Sequence, residues 1–232
     1  MSGSELLVHL LGGVALLLWA TRLVRTGIER ALGERLRRWI GLATTSRLSS
    51  FGTGLGVAFA LQSSTAAGVL LAGFARRGLV PIAAGIAFML GADIGSTLIV
   101  QALAFDLSAV VPVFLFAGVV LFMATSMPLS VQLGRILIGL GLMVVALGMI
   151  VQASTPLRES WLVVAILGRL GSDLALGLFV GALLCWALHS TVATILFVVA
   201  LAGARVIDPG LASVLVVAAN VGAGLIPLGL SW

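Results

Sequence analysis

The chain has 232 residues, of which 61% are hydrophobic and only 9% are charged. Soluble domains carry about 25% charged residues, so lipid is the solvent for this much apolar surface and a soluble fold is excluded. The formal net charge of +5 rests on arginines that flank apolar segments, with no lysine anywhere, which excludes nucleic acid as a partner.

A spanning helix needs about 20 apolar residues, and residues 5–24 supply the first. The residues before it lack the basic start of a signal peptide, so it is expected to be retained. Residues 25–46 are different in kind. Ile28, Leu32, Leu36, Trp39 and Ile40 share one helical face, while Arg25 with Glu29 and Glu34 with Arg38 form i,i+4 pairs on another. This pattern predicts an amphipathic helix on the membrane surface.

Residues 47–75 are apolar but interrupted by Gln62-Ser63-Ser64-Thr65. Residues 80–103 span, with an interruption at Gly91-Ala92-Asp93-Ile94-Gly95-Ser96-Thr97. Residues 108–126 and 134–153 read as plain spanning helices, and 154–171 as a mixed loop holding Arg158, Glu159 and Arg169. Residues 172–203 are apolar and interrupted at His189-Ser190-Thr191; residues 209–230 are interrupted at Asn220-Val221-Gly222-Ala223-Gly224. The lone Cys185 lies in an apolar stretch and reads as a buried, inert thiol.

The interruptions match in pairs. A shift of 127 positions places Ala60-Leu61-Gln62-Ser63-Ser64 on Ala187-Leu188-His189-Ser190-Thr191, Gly54 on Gly181, Asp93 on Asn220 and Gly95 on Gly222. Polar residues are scarce here, so their coincidence at one offset carries the signal. Paired breaks in two halves point to a transporter built from internal repeats. The expected architecture is all-α and polytopic, one membrane domain over 1–232. It holds two inverted repeats, 47–103 and 172–230, each a re-entrant helical hairpin plus a broken helix. If both hairpins return to their starting side, one face of the membrane holds ten arginines and the other holds Arg158, Arg169 and Arg205. Cytoplasmic loops favour arginine, which places the N-terminus outside.

Backbone groups freed by a break must be covered by protein or face a watery cavity, so each break implies a buried polar site. Ser63 or Ser64 is expected to cap the second half of the first hairpin, and Ser190 or Thr191 that of the second. Helix N-termini carry about +0.5 charge, and two converging ends suit an anion. Gly91, Gly95, Gly222 and Gly224 allow unwinding there. Freed carbonyls with Gln62, Asp93, Asn220 and the hydroxyls are hard oxygen ligands that fit Na+. An ionised Asp93 at mid-depth needs a bound cation or a proton. No hydrolytic triad, zinc spacing or phosphate-binding glycine loop is present, so neither an enzyme nor a cofactor is expected.

These residues resemble the sodium-dependent phosphate cotransporter family (type II-like, bacterial branch). The resemblance rests on Gln62-Ser63-Ser64-Thr65 followed by Gly91-Ala92-Asp93-Ile94-Gly95-Ser96-Thr97, with the opening helix and arginine-rich segment before them. It implies secondary active symport of inorganic phosphate with Na+ by alternating access, in a multi-pass protein of the bacterial inner (plasma) membrane. Substrate and ion would be held by Gln62, Ser63, Ser64, Thr65, Asp93, Gly95, Ser96, Thr97, His189, Ser190, Thr191, Asn220 and Gly222. Na+ would take Gln62, Ser64, Asp93, Thr97, Thr191 and Asn220. Asp93 and His189 stand where the family usually has amides, and the last motif lacks the hydroxyl pair of its partner. Proton coupling, another small oxyanion, or a non-transporting scaffold or sensor are the alternatives. Family members usually continue beyond the last motif, so a fragment or reduced form is expected.

Overall fold

A computed structural model describes residues 3–42, 46–105, 107–124 and 127–229. Residues 43–45 of the expected surface helix and residue 230 of the second expected repeat lie outside them. The described residues are helical, joined by turns: α1 (Gly3–Leu42), α2 (Arg47–Leu61), α3 (Ser64–Ala75), α4 (Ile82–Ala104), α5 (Val111–Ala124), α6 (Pro128–Ser154), α7 (Trp161–Ser172), α8 (Leu174–Leu188), α9 (Thr191–Gly203) and α10 (Pro209–Gly229). Among them, α1 over Gly3–Arg35, α4 over Ile82–Leu103, and α6 running on to Glu159 are long and apolar enough to cross a membrane. The chain is therefore a multi-pass, all-α membrane protein.

The chain divides into two compact units, one of Thr21–Leu140 and the other of Met1–Ala20 with Gly141–Trp232. In the first, α2 and α4 run in the same direction at very close range. Gly54 abuts the Phe88 carbonyl, Gly91 the Phe51 carbonyl and Gly95 the Leu55 carbonyl. Lipid gives helices no hydrophobic reason to associate, so packing at small residues holds such a pair together. α3 returns antiparallel to α4, with Gly68 against Met89 and Gly85 against Leu71. Val57, Leu61, Ala67, Leu71, Phe88 and Ala92 form the buried core, covered by Ile28 and Leu32 of α1.

The second unit repeats this arrangement. Gly181 of α8 abuts Leu215 and Ala218 of α10, and Gly222 of α10 abuts the Ala182 carbonyl. The contacts Gly54–Phe88 and Gly95–Leu55 thus recur 127 positions later as Gly181–Leu215 and Gly222–Ala182. Helix starts recur at the same shift: α2, α3 and α4 begin at 47, 64 and 82, and α8, α9 and α10 at 174, 191 and 209. Ser46 caps α2 by accepting the Ser49 N–H, and Asp173 caps α8 by accepting the Leu176 N–H. Among the described residues, positive φ occurs only at Gln62, Gly78, His189 and Arg205, two pairs at the same shift.

Three expectations change. The helices at 91–97 and 220–224 are unbroken. In α4 the Ser96 and Thr97 hydroxyls donate to the Asp93 carbonyl at 3.0 and 2.9 Å. The glycines there serve close packing, since a Cβ at Gly91 or Gly95 would collide with α2 backbone. Second, α1 is one helix of 40 residues, in place of a spanning helix 5–24 and a separate surface helix. Gly27 does not interrupt it; Gly27 receives Ile136 and the Gln132 carbonyl of α6. The Arg25–Glu29 pair, 2.8 Å apart, reinforces the next turn. The side chains of Leu36 and Ile40, part of the expected apolar face, lie outside the described residues. Third, the expected loop 154–171 is a single tight turn at Thr155–Glu159 followed by helix α7. Pro156 has no N–H to continue α6, and beyond it Trp161–Leu170 is apolar enough to be helical again.

Candidate functional site

Each break is built by two adjacent residues. Gln62 closes α2 in the left-handed conformation, φ 53 and ψ 31, and its N–H donates back to the carbonyls of Ala58 and Phe59. That reversal sets Ser63 in extended backbone, φ −163, where it caps α3 by accepting the Ala66 N–H at 3.1 Å. The Ser63 carbonyl takes the Ala67 N–H. A helix leaves its first N–H groups without intrahelical acceptors, so those of Ser64 and Thr65 have no acceptor within α3 among the described residues and lie beside the Ser63 hydroxyl.

The second break has the same construction. His189 closes α8 at φ 51 and ψ 24, and Ser190 caps α9 by accepting the Ala193 N–H at 3.2 Å. The N–H groups of Thr191 and Val192 have no acceptor within α9 among the described residues. The side chains at the two turns differ. Gln62 is buried, and its Oε1 has no hydrogen-bond partner among the described residues. His189 is exposed; its Nδ1 lies 3.1 Å from the Ala187 carbonyl and its ring sits 6.1 Å from that of Trp186, inclined by 33°. Ser64 and Thr191 are both buried directly after their caps. Thr191 Oγ1 accepts a long contact of 4.0 Å from the Cys185 thiol, and Thr194 returns its hydroxyl to the Ser190 carbonyl.

The remaining expected site residues stand on α4 and α10. Asp93, Thr97 and Asn220 are exposed, while Gly95, Ser96 and Gly222 are buried. The Asn220 amide donates to the Val216 carbonyl at 3.2 Å. The contacts Phe51–Gly91 and Leu55–Gly95 fix the register of α4 against α2. Within its own unit, the first break brings together the adjacent residues Gln62, Ser63, Ser64 and Thr65. The second break likewise brings together His189, Ser190 and Thr191.

Sequence reasoning missed the caps Ser46 and Asp173 and the left-handed pair Gly78 and Arg205. All four lie on the 127-residue shift, which would have found them. It also missed Trp186, whose only signal was an aromatic one turn before His189. Among the described residues, no group of three His, Cys, Asp or Glu side chains could hold a metal ion.

Comparison with known proteins agrees with the membrane architecture. YjbB of Escherichia coli strain K12, provisionally named as an inorganic phosphate export protein, is 39% identical over 222 residues, or 96% of this chain. Its counterpart in Salmonella typhimurium strain LT2 is 38% identical over the same share. YqeW of Bacillus subtilis strain 168, an uncharacterised protein, is 25% identical over 169 residues, 73% of this chain and 55% of its own length. The chain spans 41% of the length of the two phosphate-export relatives. No solved structure matches it significantly. Residues 16–152, more than half of the chain, match the Na+/Pi-cotransporter family. The chain belongs to the Na+/Pi-cotransporter family.

Proposed function

We propose that the chain forms the membrane part of a secondary active transporter that moves inorganic phosphate together with Na+. The carrying observation is the pair of matched breaks, Gln62-Ser63 and His189-Ser190, each with a capping serine hydroxyl at the start of a helix whose first two N–H groups have no intrahelical acceptor. Phosphate is an anion rich in acceptors, and N-terminal N–H groups are donors that suit it. The family match and the phosphate-export relatives support that substrate. The unpartnered, buried Gln62 Oε1 is a hard acceptor of the kind Na+ takes. In this reading α2–α3 and α8–α9 are re-entrant hairpins of two inverted repeats, 47–103 and 172–230. α2 and α3, at 15 and 12 residues, are about 22 and 18 Å long, too short to cross about 30 Å of hydrocarbon. Alternating access then exposes the two breaks to each side of a bacterial inner membrane in turn, with the N-terminus outside.

A second reading changes the driving ion and the direction. His189 stands exposed where its partner position has an amide, and the relatives are named for export. A proton-coupled exporter uses the same breaks. Radiolabelled phosphate flux in proteoliposomes, with Na+ and pH gradients imposed separately, tests both. A phosphate flux driven by Na+ alone supports symport, one driven by pH alone supports the second reading, and no flux under either gradient rejects both.

A further inference from the structure

We propose that α7 is an in-plane helix of the membrane interface, held in the headgroup–acyl boundary just before the second hairpin. Four observations place together what that boundary requires. First, α7 is 12 residues, about 18 Å, and cannot cross the membrane by itself. Second, α7 and α8 meet at a bend of 109°. With α8 entering along the membrane normal, α7 lies within about 20° of the membrane plane. Third, Leu167 and Leu170 pack into the core with Leu211 and Leu215, whereas Trp161, Leu162, Val164 and Ile166 are 76%, 53%, 55% and 61% exposed. Fourth, charged residues stand at both ends, Arg158 and Glu159 before the helix, Arg169 and Asp173 at its close, all exposed.

Water is the wrong solvent for the four outward apolar side chains, and the hydrocarbon centre is wrong for the charged ends. The boundary suits both: apolar side chains sink about 5–10 Å, a tryptophan sits at headgroup depth, and arginine reaches outward. The 127-residue shift adds a reason for the helix to exist. It maps 161–172 onto 34–45, the stretch that ends the arginine-rich half of α1 and leads into α2. Each hairpin is thus entered through a segment mixing arginine with tryptophan, and α7 anchors the mouth of the second.

Spin labels on single cysteines at Leu162, Val164, Ile166 and Arg169, in the chain reconstituted into phosphatidylcholine–phosphatidylglycerol vesicles, test this. Cys185 is fully buried, so unmutated protein treated with the label serves as the blank. The expected result is oxygen collision dominating that of a water-soluble nickel chelate at 162, 164 and 166, all at one shallow depth, with 169 near the headgroups. Three results overturn the proposal. One is nickel access at all four sites, as in a water-facing loop. Another is a steady change of depth along 162–169, as in a spanning segment. The last is loss of access to both reagents with dipolar broadening, as in contact with a second copy. Brominated lipid quenching of Trp161, read as the difference from Trp161→Phe, gives a second measure that needs no cysteine.

Discussion

Gln62 and His189, 127 residues apart, end their helices in the same left-handed turn, at φ 53 and φ 51. A side chain in that conformation costs about 1–2 kcal/mol relative to a right-handed one, and glycine removes the cost. This chain has 29 glycines yet uses none at either turn. Residues kept in sparsely populated backbone regions cluster at functional sites, which directs attention to the amide and the imidazole themselves.

Gln62→Gly separates the two roles. Glycine keeps the turn and deletes the amide, so the melting temperature in detergent is expected to hold or rise slightly, while phosphate flux falls at least about tenfold, the ratio that 1.4 kcal/mol of lost transition-state binding produces. Unchanged flux would reduce Gln62 to a turn residue.

Ser63→Ala and Ser190→Ala each remove a cap that accepts one backbone N–H, at a cost of about 1 kcal/mol. The expected outcome is a modest loss of thermal stability in both and a larger loss of phosphate affinity, with threonine at either position restoring most of it. An affinity change confined to one of the two variants would show that only one break meets phosphate.

Gly95→Ala and Gly222→Ala test the packing of α2 on α4 and α8 on α10. A methyl at either position meets a carbonyl, of Leu55 or Ala182, and overpacking of this kind costs about 1–3 kcal/mol or more. Both variants are expected to melt earlier than the unmutated chain in detergent. Gly56→Ala, where nothing lies within 4 Å, is expected to melt no earlier.

These glycines also show where sequence reading stops. The breaks at Gln62 and His189 were legible because polar residues in an apolar chain stand out and because they recur at one shift. Ser63 and Ser190 fell at cap positions because serine is suited to them. The reading of α4 and α10 as broken failed on an ambiguity in glycine: the missing Cβ permits unwinding and also permits a neighbouring backbone to approach. Only the positions of Phe51, Leu55 and Ala182 decide between them, and those contacts are tertiary. The same holds for α1, where Gly27 is a seat for Ile136 of α6 and the helix runs on through it. In α7 the charges at 158, 159 and 169 diluted the apolar signal of the nine residues between 159 and 169, so a helix read as a loop.

His189→Gln gives the second turn the side chain of the first. Histidine is the side chain suited to sense pH near neutrality. Under the proton-coupled reading, phosphate flux through the variant is expected to respond less to pH than flux through the unmutated chain. Equal pH profiles would remove His189 from any proton coupling.

The most direct measurement of the central claim is phosphate flux in proteoliposomes holding this chain, with an imposed Na+ gradient and, in a matched set, a K+ gradient of the same size. The account predicts phosphate accumulation that follows the Na+ gradient, disappears in K+, and is lost when Ser63→Ala and Ser190→Ala are combined. Phosphate movement indifferent to the cation, or unaffected by the paired substitution, would contradict it.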